Sequence, residues 1–332
     1  MFRIFYIVAL GYFSLALLSH NIHRIHAQET NTTAKEQQQK TNKPTENTAV
    51  KSTKNDNSDK NENSGSTATS TTKKIDRSTI EIAEPIDALQ LKKDDLNHYF
   101  PTEQIVPLLA GQEEYLTVIS TNSLARSKGV VILLPDWQQS ASSPKALNYL
   151  HQTLPLQGWT SIKVQPANKP ENYPSTALTL ALRVQENDKT LSEYQRRLAL
   201  LVDAVTSKAS NYPGIIVMIA QGHNASLAIN IYQQTETNKP TALVMLSSFL
   251  DDKKNNQTVA INLSQLALPI LDLYLERDHP LVLPNTRLRK KQVNNQLKVN
   301  FRQKSLYNTT SGYYAQPLLV KEINGWLKSL GW

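Results

Sequence analysis

Short apolar runs alternate with amphipathic stretches along most of the chain after residue 113. Two of the runs, residues 130–134 and 215–219, contain no polar side chain, which is typical of parallel strands covered on both faces. Five further segments have the length and apolar content of strands. The pattern therefore predicts strands over residues 114–121, 129–134, 160–165, 214–221, 242–247, 269–275 and 297–303.

The stretches between these strands carry helix signals. Ser143 before Pro144 is a predicted N-cap with proline in the first helical position, and leucines follow at helical spacing. Thr190 and Glu193 form a capping-box pattern ahead of a second amphipathic run. This alternation of strands and helices predicts an α/β fold with a mainly parallel, doubly wound sheet. One side of the last predicted helix carries Leu319, Ile323, Trp326, Leu327 and Leu330.

The N-terminal part of the chain has a different composition. One positive charge precedes the apolar residues 4–19, which is the pattern of a secretory signal, and we expect cleavage after Ala27. An uncleaved signal anchor is the alternative. Residues 28–77 are almost entirely polar, which predicts a disordered linker. The sequence therefore predicts a periplasmic or otherwise exported protein whose folded α/β domain spans residues 78–332.

Composition excludes several kinds of site. The 332-residue chain contains no cysteine, so it has no disulfide, no thiolate nucleophile and no lipidated N-terminal cysteine. Its 10 glycines form no phosphate-binding loop, and we expect no cofactor. The formal net charge is +8, yet aromatic residues are not interleaved with basic ones, so no nucleic-acid partner is expected. The basic residues 287–291 are interpreted as a solvated helix face, with contact to phosphate or anionic lipid as the alternative.

The junction between residues 215–221 and the following helical pattern is the candidate catalytic turn. In α/β-hydrolases a strand of this kind ends in a G-x-S-x-G turn that exposes the nucleophile. Two alignments of the turn are open here, one with Gly222 and one with Asn224 in the central position. Neither residue can be activated to attack an acyl group. Both tolerate a positive φ, so the turn can persist without the chemistry.

The other members of a catalytic triad are only partly present. Asp278 follows the strand predicted at residues 269–275, where the acid is expected. A histidine is expected after the final strand, but the chain has none beyond His279. Lys304 and Ser305 occupy that region instead. Without an imidazole the usual general base is lost.

Two histidines are nevertheless expected near the carboxyl ends of strands, where open α/β sheets form their ligand crevice. His223 and His279 could form a metal site completed by Asp278 or Asp136, but the spacing matches no metal signature, and we predict no metal. Polar groups at the rim of a cleft are the simpler interpretation. Asp136 and Trp137 follow an early strand, where a hydrolase has its oxyanion-hole loop. An acid there would oppose a developing oxyanion, so a packing role is expected.

Several short sequence segments together resemble an uncharacterised bacterial family, domain of unknown function 3530. The resemblance covers about residues 95–332 and implies an exported α/β-hydrolase relative with no established activity. It favours Gly222 as the centre of the turn, although Ala220 and Asn224 replace the flanking glycines. We therefore transfer the fold and not a reaction. These segments are residues 100–106, 133–136, 154–160, 221–222 and 323–327.

Three functions are compatible with these observations. The leading hypothesis is a non-catalytic protein that binds a small ligand or an envelope protein, because the nucleophile and the late histidine are absent. The first alternative is a serine-type or atypical hydrolase with a rearranged site, in which Ser226, Ser247 or Ser248 acts together with His223, Asp278 or His279. The second alternative is a structural envelope protein tethered by residues 28–77.

Overall fold

The computed structural model describes residues 84–332. The predicted signal peptide, residues 1–27, and the predicted linker, residues 28–77, lie outside the described residues. The helices are α1 (Ala88–Tyr99), α2 (Ala146–Thr153), α3 (Leu180–Ala209), α4 (Gly222–Gln234), α5 (Lys253–Gln265), α6 (Val282–Asn295) and α7 (Gln316–Ser329). The strands are β1 (Ile105–Ala110), β2 (Glu113–Ser120), β3 (Gly129–Leu134), β4 (Trp159–Val164), β5 (Ile215–Gln221), β6 (Ala242–Leu246), β7 (Ile270–Leu275) and β8 (Phe301–Leu306).

The eight strands form one sheet in the order β1-β2-β4-β3-β5-β6-β7-β8. All neighbours from β4 to β8 are parallel, whereas β2 is antiparallel to both β1 and β4. One face of the sheet packs against α3, α4, α5 and α6, and the other packs against α2 and α7. The predicted α/β fold with a mainly parallel, doubly wound sheet is confirmed. Within residues 84–332, no helix has both the length and the apolar character that a bilayer crossing requires.

The strands follow the sequence pattern where they are fully buried. The prediction for β3 matches its observed bounds, and all six of its residues are buried. Strand β1 is not predicted from the sequence, because it is an edge strand interrupted by Pro107. Strand β8 begins four residues later than predicted. Leu297 has a φ of +52°, which is incompatible with a strand, and residues 296–300 instead form the turn after α6.

Two predicted helix starts are wrong. Helix α3 begins at Leu180, where the Thr179 hydroxyl accepts a hydrogen bond from the Leu182 amide at 3.3 Å. Thr190 therefore lies inside the helix and caps nothing. Apolar periodicity could not locate the true start, because the first buried residue of α3 is Leu191. Helix α2 begins at Ala146 with Lys145 in the N-cap position, so Ser143 and Pro144 precede it.

The basic residues 287–291 are only partly a solvated face. Lys290 and Lys291 are exposed on α6, as predicted, but Arg289 is 1% exposed. Its guanidinium forms two hydrogen bonds with Asp272 on β7, at 2.9 and 3.1 Å. The prediction is wrong at this position, because the pattern of charges does not reveal a buried acid on a neighbouring strand.

Candidate active site

The turn from β5 into α4 has Gly222 at its centre. Gly222 has a φ of +60°, the left-handed conformation that glycine adopts without strain. A Cβ atom built on Gly222 would lie 2.5 Å from Oδ1 of Asp136, so no side chain fits without movement of that carboxylate. The other candidate, Asn224, lies in the first turn of α4, where its amide donates to the Pro135 carbonyl at 2.7 Å. The strand-turn-helix frame therefore places a residue without a side chain at the position of a nucleophile.

Asp136 occupies the space above this turn. It follows β3 directly after Pro135, and it is 7% exposed. Its Oδ1 atom accepts a hydrogen bond from the backbone N–H of His223 at 2.8 Å. In α/β-hydrolases the N–H of the residue after the nucleophile contributes to the oxyanion hole. In this protein that amide is already bonded to an anion of the chain itself.

His223 lies between two carboxylates. Its Nδ1 atom is 3.0 Å from Oδ1 of Asp136, and its Nε2 atom is 3.5 Å from Oδ1 of Asp251. Burial disfavours the imidazolium, but the hydrogen bonds and negative charges of both acids outweigh this cost and raise the pKa of His223. The hydrogen bond from His223 lowers the pKa of Asp251 in turn. Both ring nitrogens of His223 thus face carboxylate oxygens, an arrangement that favours the protonated imidazolium.

An aromatic column surrounds this histidine. The His223 ring stacks on Trp137 at a centroid distance of 4.2 Å, and it contacts Phe249 at 4.4 Å. Phe249 stacks in turn on His279 at 4.4 Å. Trp137 is fully buried, His223 is 3% exposed and His279 is exposed. The column therefore runs from the buried core at Trp137 to the surface at His279.

The expected acid, Asp278, has a hydroxyl partner and no histidine. Its Oδ2 atom accepts a hydrogen bond from the Ser247 hydroxyl at 2.6 Å. Ser247 follows β6 with a φ of +48°, and its Oγ atom is also 2.7 Å from the Tyr314 hydroxyl. Tyr314 lies between β8 and α7, where a hydrolase would have its histidine. Burial raises the pKa of Tyr314 well above its ordinary value, so it is a hydrogen-bond donor and not a base.

The side chains of the remaining candidates have other hydrogen-bond partners than the histidines and Asp278. Ser226 and Ser248 are fully buried, and their hydroxyl oxygens are 2.6 Å apart. Lys304 and Ser305 lie within β8, because that strand runs later than predicted. Lys304 forms an ion pair with Glu322 at 2.6 Å. These two residues therefore do not occupy the place of the missing histidine, and the sequence-based assignment is corrected.

The two histidines considered for a metal site both contact the ring of Phe249. Asp136 is bonded to His223, whereas Asp278 is bonded to Ser247 and to the amides of Leu275 and His279. In the described part of the chain, no group of three or more His, Asp or Glu side chains has an arrangement that could hold a metal ion.

Sequence reasoning missed three residues of the site: Phe249, Asp251 and Tyr314. Phe249 and Asp251 follow β6 closely, so their position after a buried strand was a usable signal. Tyr314 carries no such signal, because it stands eight residues after the end of β8. Only the fold brings its hydroxyl to Ser247.

The strand order, the sharp turn after β5 and the acid after β7 define the class of the protein as an α/β-hydrolase fold. Within this class the chain belongs to the family described as "Protein of unknown function (DUF3530)", whose model matches residues 10–329. Among curated proteins, no relative matches the chain.

Solved structures of hydrolases are similar to the chain. A dienelactone hydrolase from Anabaena variabilis superposes with a TM-score of 0.50 at 14% identity, covering 68% of this chain and 96% of its own. Est1E from Butyrivibrio proteoclasticus has a TM-score of 0.50 at 12% identity, covering 68% of this chain and 98% of its own. At such identities the likeness extends to the fold alone.

Proposed function

We propose that the protein is a non-catalytic α/β-hydrolase relative that binds a ligand or a partner protein in the cell envelope. The observation that carries the proposal is the carboxylate of Asp136 at the turn. It fills the space in which a nucleophile on residue 222 would stand, and it accepts the His223 amide. A substrate carbonyl would then meet a negative charge where a hydrolase offers hydrogen-bond donors.

A pocket at the carboxyl ends of the strands offers room for a ligand. Its volume is about 480 Å³, and it lies between the connection that leaves β4 and helix α3. The side chains around it are polar, which favours a polar ligand over a lipid. The lining residues are Glu171, Asn172, Pro174, Ser175, Thr176, Glu186, Lys189, Thr190 and Glu193.

The envelope location is supported by the N-terminal sequence. Residues 1–27 have the pattern of a secretory signal, and the absence of cysteine is compatible with an oxidising compartment. After cleavage the polar residues 28–77 would form the N-terminal segment of the exported protein, and with an uncleaved signal anchor they would act as a spacer between the membrane and the domain.

A specific observation favours one alternative, a hydrolase that uses Ser247. A left-handed φ of +48° at a residue other than glycine is strained, and strain of this kind clusters at functional sites. The Ser247 hydroxyl also bonds to Asp278, the acid in the triad position. Against this alternative, Ser247 is 8% exposed and its second partner, Tyr314, cannot accept the proton.

An ester-hydrolysis assay separates the two functions. We expect the purified full chain to hydrolyse p-nitrophenyl acetate and p-nitrophenyl butyrate no faster than heat-denatured protein. A fluorophosphonate probe, followed by mass spectrometry, should label no serine. Hydrolysis that is lost in Ser247→Ala but retained in the buried control Ser264→Ala would contradict a non-catalytic protein and establish the alternative.

A serine introduced at the centre of the turn should not produce an active hydrolase. We expect Gly222→Ser to remain inactive and to lose about 2 kcal/mol of unfolding free energy from the left-handed φ and the contact with Asp136. Gly312→Ser is the matched control, because Gly312 has a φ of +74° but no atom lies within 4 Å of the place its Cβ would take. In urea denaturation, the unfolding free energy of Gly222→Ser should therefore be lower than that of Gly312→Ser. Equal losses would show that Asp136 does not block the turn.

A further inference from the structure

The edge of the sheet opposite the candidate active site is formed by the connections that enter the parallel strands. Parallel strands begin at a common edge, so these connections lie side by side. We call this surface the amino edge. Its connections are residues 121–128, 154–158, 210–214, 235–241, 266–269 and 296–300.

The amino edge carries mostly positive charge, although Asp203 of α3 reaches it and accepts a hydrogen bond from the Asn238 side chain. Glu236 is the one acidic residue in these connections. Lys290 and Lys291 add two exposed cations from the C-terminal half of α6, and Lys328 adds another from the last turn of α7. A face of this composition attracts anions. The cations within the connections are Arg126, Lys128, Lys239 and Lys298.

Large apolar side chains are exposed beside these cations. Leu124 is 50% exposed, Leu156 66%, Leu297 83% and Val299 90%. Leu297 and Val299 flank Lys298 in the turn between α6 and β8. Several apolar side chains exposed among cations have the composition of a surface that binds at a lipid interface.

Leu297 is exposed in a turn whose backbone conformation is unfavourable for leucine. Leu297 adopts a φ of +52° directly after α6, a position that glycine or asparagine usually occupies. The Lys298 amide bonds to the Val293 carbonyl at 3.2 Å. The Lys298 ammonium group donates to the carbonyls of Leu266 and Leu268. These bonds fix the turn, so the exposure of Leu297 belongs to the fold.

A pocket opens on the same edge. Its volume is about 460 Å³, and Leu124 and Trp332 supply its apolar wall. Arg126 and Lys128 supply two cations to the same pocket. Apolar walls beside two cations match an amphiphile that carries a phosphate group.

We propose that the amino edge docks on the surface of an anionic lipid bilayer. Leu124, Leu156, Leu297 and Val299 would enter the boundary between headgroups and acyl chains. The exposed cations would pair with lipid phosphates, whereas Lys298 is already bonded within its turn. The exposed aliphatic groups favour a bilayer over a soluble polyanion, which would need the cations alone. The inference goes beyond the proposed function and does not depend on it. Docking in this orientation turns the carboxyl ends of the strands away from the membrane.

A site-specific fluorophore tests the orientation, because the chain contains no cysteine. Val299→Cys and Leu178→Cys are each labelled with an environment-sensitive nitrobenzoxadiazole dye in the full chain. Leu178 is the matched control, since it is 98% exposed but lies in the connection that leaves β4. Vesicles of phosphatidylcholine with phosphatidylglycerol should shift the emission of the dye at 299 to shorter wavelength and leave the dye at 178 unchanged. An unchanged dye at 299, or an equal shift at both positions, would overturn the proposal.

Variants that remove charge test whether the partner of the amino edge is an anionic bilayer. Lys290→Gln with Lys291→Gln should raise the lipid concentration needed for half of the shift at 299 roughly 25-fold, about fivefold for each cation. Arg183→Gln with Lys253→Gln removes the same charge from exposed positions at the opposite end of the fold and should have no such effect. Leu297→Asn removes the apolar group while relieving the strained φ, so it should weaken docking without loss of stability. A response to polyphosphate or nucleic acid that exceeds the response to vesicles would exclude a bilayer as the partner.

Discussion

Replacing Arg289 with methionine is expected to lower the unfolding free energy by about 3–5 kcal/mol, because it leaves a buried carboxylate without its charge partner. Asp272 is fully buried on β7, and its two oxygens each accept a hydrogen bond from the Arg289 guanidinium. The same guanidinium donates to the Ser248 carbonyl at 3.0 Å. The substitution therefore uncouples α6 from the middle of β7 and from the segment that follows β6. Equilibrium urea denaturation of the full chain measures the loss.

The neighbouring residue provides the control for this prediction. Lys290→Met removes an exposed charge from the same helix, so it should change stability by less than about 0.5 kcal/mol. The double substitution Arg289→Met with Asp272→Leu should recover most of the loss, because both charges are then absent. If Arg289→Met were as mild as Lys290→Met, the buried pair would not contribute to stability.

Replacing Lys163 with methionine is expected to stabilise the protein near neutral pH. Lys163 is fully buried on β4, with its ammonium nitrogen 2.8 Å from Oδ1 of Asn148 and 4.2 Å from the centre of the Phe100 ring. Burial lowers the pKa of Lys163 from 10.5 to about 7. The cost of this shift is on the order of 4 kcal/mol, of which methionine should recover a large part.

The stability difference between the wild type and Lys163→Met should depend on pH. Between pH 7 and pH 10.5 the unfolded chain binds a proton at Lys163 that the folded chain does not. The wild type should therefore gain stability over this range relative to Lys163→Met, and the advantage of the variant should disappear near the upper end. Lys321→Met, at an exposed position on α7, is the control and should show no such trend. A difference between wild type and Lys163→Met that does not vary with pH would refute the prediction.

Much of the fold can be predicted from local pattern alone. Strands such as β3 and β5 are buried on both faces, so their apolar runs coincide with the strands themselves. The pattern fails where burial is one-sided or absent. The exposed first third of α3 has no periodic signal, and the proline in β1 conceals an edge strand. Arg289 is grouped with its exposed neighbours, because nothing near it in sequence reveals the buried Asp272.

The candidate site is only half predictable. The strand that leads to Gly222 and the acid after β7 are local features, and both can be placed from the sequence. The contacts that decide the chemistry are not local, because Asp136 and His223 are 87 residues apart, and Ser247 and Tyr314 are 67 residues apart. The sequence also indicates that an acid at residue 136 would oppose an oxyanion. The structure adds that this acid is hydrogen-bonded at the turn itself.

The covalent attachment of the Asp136 carboxylate to the chain has a consequence for inhibitors of hydrolases. A boronate or phosphonate designed to mimic a tetrahedral intermediate needs the same His223 amide that Asp136 now holds. The mimic arrives from solution, whereas its competitor is part of the polypeptide and is held in place by the adjacent strand. The internal anion is already oriented and loses no translational freedom when it bonds to this amide, which favours it over an added compound. Broad screens with such compounds should pass over this protein even where they capture hydrolases of the same fold.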